Sequence, residues 1–242
     1  MKTPTAAILV IGNEILSGRT QDANIAFIAT RLAARGIKLC EVRIVRDEEE
    51  AIIAAVKALS LTYDCIFSTG GIGPTHDDIT AECMAKAFDA AIEMSESARK
   101  TLADYCAARN VPLNEGRLRM ARVPKGAVLI ANEVSAAPGF KIANVYVMAG
   151  VPKIMQAMFL AIEDGLPQGQ PVLSVTVSCS LREGDIADAL EKIQNRHPET
   201  EIGSYPHMPG LSLVVRGVNA EKVEAARAEI EAMVKKYGQN HN

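Results

Sequence analysis

The sequence predicts an α/β protein: a mostly parallel β-sheet covered by helices on both faces, then a smaller βαββα unit. Three observations carry that prediction. Short apolar runs alternate with segments of helical spacing over the first two thirds of the chain, as parallel strands joined by helical crossovers require. One of those runs leads directly into a loop rich in glycine and acid, Thr69-Gly70-Gly71-Ile72-Gly73-Pro74-Thr75-His76-Asp77-Asp78-Ile79-Thr80. A stretch punctuated by glycine and proline, residues 165–171, then sets a second group of elements apart.

Residues 6–11 read as the first strand. Residues 22–35 read as a helix, with Ile25, Ile28, Ala29, Leu32 and Ala33 on one face and Gly36 as its stop. Residues 37–45 alternate, residues 47–60 are helical through Ile52, Ile53, Val56 and Leu59, and residues 65–69 form a short buried strand. Helices are expected at 79–88, 96–109 and 114–121, and strands at 128–130, 141–143 and 145–148. The helix expected at 152–163 opens with proline, a favoured first residue. The first domain so read spans residues 1–165. In the second, 171–242, strands are expected at 172–178, 201–205 and 211–215, with helices at 182–195 and 220–237.

Composition narrows the function classes. With 242 residues, 48% of them hydrophobic, the chain can build one large or two modest cores. A net charge of −3 with no basic block disfavours nucleic acid as a partner. From residue 171 onward eight Lys and Arg stand against ten Asp and Glu, with no Gly-x-x-Gly clamp, so RNA binding by the second unit is disfavoured as well. Cys40, Cys65, Cys83, Cys106 and Cys179 are odd in number and widely spaced, which suits reduced thiols rather than disulfides or zinc. The apolar start is interrupted at Gly12-Asn13-Glu14 without a cleavage signal, and no run reaches membrane-span length. A cytoplasmic protein without a membrane partner is expected.

The glycine loop is the principal candidate site. At the carboxyl end of a strand, glycine N–H groups and a helix start attract phosphate. Asp77 and Asp78 would repel a bare phosphate, so they suit a bridging divalent cation or action on a nucleophile. The plainer reading is helix capping, for which Thr75, Asp77 and Asp78 are all competent. Gly12, Glu14, Ser17 and Gly18 lie at the end of the first strand, followed by Asp22, a possible helix cap, and Asn24. Asp47, after the second strand, is either another cap or a carboxylate that joins Asp78. Pro138-Gly139-Phe140 and Gly150-Val151-Pro152 are turn chemistry first, with ligand contact open to them. Asn114-Glu115-Gly116 can cap a helix or bond a heterocycle's edge. His76 beside two acids can ligate metal or move a proton; His197, His207 and His241 show no ligand spacing.

Taken in order, the segments 11–18, Asp22 and Asn24, 69–80, 114–116, 137–140 and 150–152 resemble the molybdopterin-binding MoaB/Mog-like domain family. The version they resemble is the N-terminal part of the competence/damage-inducible A proteins, over about residues 5–165, and the tail resembles the small KH-like domain that follows there. The resemblance implies a three-layer α/β/α fold, a homo-oligomer (dimer or trimer), and a site for a nucleotide or pterin carrying phosphate. It implies Asp78 and Asp47 as metal-holding catalytic acids with Asp77 beside them. Substrate contacts are implied for Gly12, Glu14, Ser17, Gly18, Asn24, Thr69, Gly70, Gly71, Gly73, Thr75, Asn114, Gly116, Pro138, Gly139 and Gly150. In the Mog branch these positions support magnesium-dependent adenylyl transfer to molybdopterin. In the competence-protein branch, whose His76-Asp77-Asp78 form this chain has, they are associated with hydrolysis of ADP-ribose-like pyrophosphates.

The resemblance therefore implies a metal-dependent nucleotide pyrophosphatase using magnesium, manganese or cobalt, with molybdopterin as a further candidate ligand and a non-catalytic binding module as an alternative. Two departures stand out. The amidase domain of the longer competence proteins is not present, so that activity is not expected. Lys153-Ile154-Met155 follows Gly150-Val151-Pro152 where family members often carry a small residue, Glu and Met.

Overall fold

The computed structural model describes residues 3–239, which places His241 outside the described residues. The chain opens with β1 (Thr5–Ile11), one turn of helix α1 (Asn13–Leu16), α2 (Asn24–Ala34), β2 (Lys38–Val45), α3 (Glu49–Thr62) and β3 (Cys65–Thr69). It continues through α4 (Thr80–Ala87), β4 (Ile92–Met94), α5 (Glu96–Ala108), α6 (Glu115–Arg119), β5 (Arg122–Pro124), β6 (Val128–Ile130), β7 (Gly139–Ile142), β8 (Val145–Met148) and α7 (Pro152–Glu163). The second unit holds β9 (Leu173–Cys179), α8 (Glu183–Arg196), β10 (Glu201–His207), β11 (Gly210–Gly217) and α9 (Ala220–Gln239). The two compact units divide between Gly169 and Gln170.

The first unit is a three-layer sandwich about a six-stranded sheet ordered β2-β1-β3-β8-β7-β6. Because strand side chains alternate, each apolar run feeds both faces. Ala6, Ile8, Val10, Phe67 and Met148 pack under α2 and α7 with Ile28, Leu32, Met155, Met158 and Phe159. Ala7, Leu9, Ile11, Ile66, Val145 and Val147 pack under α3 and α4 with Ile52, Val56, Leu59, Cys83 and Met84. Each fully buried aliphatic side chain contributes about 1.5–3 kcal/mol, so the double burial of β1 and β3 anchors the sheet.

The sheet is mostly parallel, as expected, with three of its five strand pairings parallel and two antiparallel. β2, β1, β3 and β8 run parallel, whereas β7 is antiparallel to both β6 and β8. The physical reason lies in the connection: Ala143 and Asn144 alone join β7 to β8, far too short for a crossover. Ala143 takes φ 49, and Asn144 secures the turn by donating from Nδ2 to the carbonyls of Ser60 and Tyr63. The helix expected at 114–121 closes at Arg119, since Arg122–Pro124 pairs with Ile92–Met94 in a small antiparallel ribbon. Gly139, expected in a turn, is a strand residue; a Cβ there would lie 2.5 Å from the Val147 carbonyl oxygen. Residues 165–169 pack on the first unit, where Gly169 N–H donates to the Arg35 carbonyl.

The second unit has the expected βαββα order, with an antiparallel sheet ordered β10-β11-β9. Val177, Leu211, Leu213 and Val215 form one face of that sheet and pack with Ile186, Ile193, Val223, Ala226 and Ile230 from α8 and α9.

Candidate functional site

A cavity of about 590 Å³ opens at the carboxyl ends of β1, β2, β3 and β8, the crevice where open α/β sheets bind ligands. Ile11, Glu14 and Thr20 reach it from the β1 end, Asp47 from the β2 end, and Gly70, Gly71, Gly73, Asp77 and Asp78 from the β3 end. Gly150, Pro152, Ile154 and Met158 close it from the β8 side, and Met120, Asn132, Ser135 and Ala137 complete the wall. One side is carboxylate and backbone; the other is aliphatic and thioether.

The glycines of the loop serve different ends. Gly70 has φ 103, and a Cβ on it would stand 2.1 Å from the Ile11 carbonyl oxygen, so β1 and the loop touch backbone to backbone. Its N–H continues the sheet by donating to the Met148 carbonyl at 3.1 Å, which removes it from the expected phosphate cradle. Gly71 has φ 66 and leaves the space that the Thr80 hydroxyl occupies. Gly73 makes room for the Asp78 carboxylate, and Gly12 does the same for Glu14. Among the described residues, the N–H groups of Gly71 and Gly73 have no protein acceptor.

The acids are not helix caps. Helix α4 begins at Thr80 behind Ile79, with no side-chain cap, and α3 begins behind Glu48, again uncapped. Asp78 instead accepts through Oδ2 from the Thr75 N–H at 2.8 Å and lies 2.6 Å from the Thr75 hydroxyl. The same hydroxyl is within hydrogen-bond reach of Asp77 Oδ1, and its single proton can serve one carboxylate at a time. That hydroxyl, followed by Asp77's own backbone N–H, holds the Asp77 carboxyl below the usual carboxylate range. Asp47 accepts the Asn13 N–H at 2.7 Å through Oδ2, tying the start of α1 to the β2 end. Arg119 braces the loop from α6 by donating to the Thr75 carbonyl at 2.7 Å.

Several residues expected at the site hold the scaffold instead. Asn24 is buried and donates to the Gly150 carbonyl at 2.8 Å, while Asp22 accepts the Ile25 N–H at 2.8 Å at the start of α2. Asn114 caps α6 by accepting the Arg117 N–H at 3.0 Å, and Gly116 packs against the Pro74 carbonyl. Ser17 and Gly18 close α1, Thr69 is buried in β3, and Pro138 and Gly139 lie outside the cavity wall. Thr75 acts through the two acids rather than as a wall residue. His76 is exposed, and among the described residues no three His, Cys, Asp or Glu side chains gather as a metal cage.

Other wall residues carry no sequence signal of their own. Thr20, Met120, Asn132, Ser135 and Met158 come from separate segments. Asn132 is the exception in kind: its buried amide bonds Ser135 and the Ala137 carbonyl and shapes the loop before β7. The departure at Lys153-Ile154 has a visible result, since α7 has no acid in its first turn and Ile154 adds to the apolar wall.

Residues 7–168 match the family described as "probable molybdopterin binding domain", and residues 171–241 match that described as "FAD synthase, middle domain". A protein of Archaeoglobus fulgidus is 35% identical over 94% of this chain and 96% of its own length. A "probable FAD synthase" of Caenorhabditis briggsae is 30% identical over 95% of this chain, which spans 49% of that longer protein. The crystal structure of the protein CinA from Thermoplasma acidophilum superposes with a TM-score of 0.61 and 34% identity, covering 67% of this chain and 98% of that one. The chain belongs to the molybdopterin-binding, MoaB/Mog-like domain family, and carries an FAD synthase-like middle domain behind it.

Proposed function

We propose, with that family membership as the premise, that the chain is a divalent-cation-dependent pyrophosphatase for dinucleotide-like substrates of the ADP-ribose type. One observation carries the reading. Asp47, Asp77 and Asp78 reach a single cavity from two strand ends, and none of them caps the helix that follows it. Capping would account for such acids by helix energetics alone; here they face a space large enough for a nucleotide.

The donor set fits a hard cation. Asp47 and Asp78 each have one oxygen engaged within the protein, leaving the other for a ligand, and carboxylate oxygen suits magnesium or manganese. A site with two carboxylates and, among the described residues, no complete cage matches the way magnesium binds together with substrate phosphates. When bound, such a cation neutralises phosphate charge and acidifies a coordinated water. The protein's part is positioning: Gly71 and Gly73 offer N–H groups to a phosphate, and the apolar wall of Met120, Ile154 and Met158 takes a heterocycle. Asp77, held ionised at neutral pH, accepts a proton rather than supplying one.

The test is incubation with ADP-ribose and magnesium, manganese or cobalt, with AMP and ribose phosphate as the products to be measured. Their appearance in wild type and loss in Asp78→Asn would support the assignment. A second reading, adenylyl transfer from ATP with molybdopterin phosphate as acceptor, is favoured by the molybdopterin-binding family match of residues 7–168. Pyrophosphate released from ATP only when molybdopterin is supplied would put it first. Tight binding without turnover under every cation would leave a nucleotide- or pterin-binding module.

A further inference from the structure

The two edges of the larger sheet are unequal. β6 is three residues long, whereas β2 presents eight residues and pairs on one side only, with β1. A long free edge is a template for another strand unless something blunts it. On β2, Cys40 is exposed, and Val42 and Ile44 are 40% and 37% exposed, unusual for aliphatic residues in a strand. Cys40 is also the extra residue of a bulge, since Ala6 faces Leu39 and Ala7 faces Glu41.

The direction of the edge's polar groups follows from one bond. The Val45 carbonyl accepts the N–H of Gly12, so Val45 turns its backbone groups toward β1. In a parallel strand that direction alternates, which aims Glu41 and Arg43 inward and leaves the N–H and C=O of Val42 and Ile44 pointing away from the sheet. We infer that this edge pairs antiparallel with β2 of a second copy, with Val42 on the two-fold axis.

That register satisfies three independent requirements. It makes Val42–Val42 a hydrogen-bonded pair, using the outward backbone groups. It sets Glu41 of each copy opposite Arg43 of the other in the non-hydrogen-bonded positions, so that the Glu41–Arg43 ion pair already made within each strand at 2.6 Å joins its counterpart in a four-charge cluster of alternating sign. It also covers Ile44 with Cys40, so the exposed apolar residues meet each other. The adjacent registers fail on charge, because one sets Glu41 against Glu41 and the other Arg43 against Arg43. The bulge at Cys40 ends the ladder before Lys38 would meet Arg46. A two-fold dimer joined into one continuous sheet results, and the catalytic proposal plays no part in it.

Sedimentation velocity across micromolar concentrations tests it, with circular dichroism to establish that each variant is folded. Wild type is expected to be a dimer. Glu41→Arg and Arg43→Glu, each creating two like-charge contacts across the axis, are expected to weaken dimerisation by at least about tenfold. The double swap E41R/R43E, which restores opposite charges in the same register, is expected to recover it. Thiol labelling gives a second readout: Cys40 should react more slowly in wild type than in folded Glu41→Arg. A monomeric or trimeric wild type, a dimer indifferent to the single swaps, or a folded double swap that stays monomeric would each overturn the proposal.

Discussion

The carboxylates of the larger unit's cavity and those along α9 of the smaller unit are used in opposite ways. On α9, Glu229 meets Arg196 and His197, and Glu224 and Glu231 flank Arg227. At the cavity, Glu14, Asp47, Asp77 and Asp78 have no cationic partner within ion-pair distance among the described residues. Asp47, Asp77 and Asp78 accept instead from backbone N–H groups and a hydroxyl. Exposed ion pairs stabilise little, so the α9 acids serve solubility and helix surface. Acids gathered without countercharge keep their field available for a cation that arrives with its ligand.

The contrast is sharpened most by removing one charge from each side. Asp78→Asn should lower pyrophosphatase turnover by a factor on the order of 10²–10³, the usual scale for losing one preorganised electrostatic group. Glu229→Gln in the same assay should leave turnover unchanged. Equal losses from both variants would break the distinction. Backbone changes extend the comparison to stability. Gly70→Ala drives a Cβ into the Ile11 carbonyl at positive φ and should cost about 3 kcal/mol in urea unfolding. Gly184→Ala in α8, where a Cβ meets nothing within 4 Å, should be neutral or stabilising by up to about 1 kcal/mol.

Smaller effects concern titration. Thr75→Val removes the hydroxyl that is the first cause of Asp77's lowered pKa. Its carboxyl should then titrate closer to the ordinary aspartate value of 3.8, which carbon NMR can follow. Any activity limb set by Asp77 should move to higher pH with it. Glu229 is the smallest case. Its pKa is lowered first by the Arg196 hydrogen bond, so its stabilisation is complete above the ordinary value of 4.5 and lost as pH falls through the lowered one. With the side chain 40% exposed, Glu229→Gln should reduce stability at pH 7 by less than about 1 kcal/mol, and its effect should vanish in acid.

Much of the fold was legible because its signals are local. The paired burial of β1 reads directly from residues 6–11, and Gly36 marks the end of α2. β4 and β5 were not legible, since three residues carry too little periodicity to announce a strand. The antiparallel turn at Ala143-Asn144 had a signal, the single residue between two predicted strands, that the general alternation of the chain outweighed. At the site, the loop from Thr69 to Thr80 announced itself, whereas Arg119, Asn132 and Met158 did not, because each is an ordinary residue outside any motif.

By itself the sequence determined the longer strands and helices and which acids stand at strand ends, since apolar spacing and backbone sterics act over a few residues. Tertiary structure alone decided what those acids do. Whether Asp78 caps α4 or faces a cavity, whether Gly70 N–H meets phosphate or Met148, and which remote side chains wall the site depend on how sheet and helices pack. That packing is set by burial summed over the whole core, and no single segment contains it.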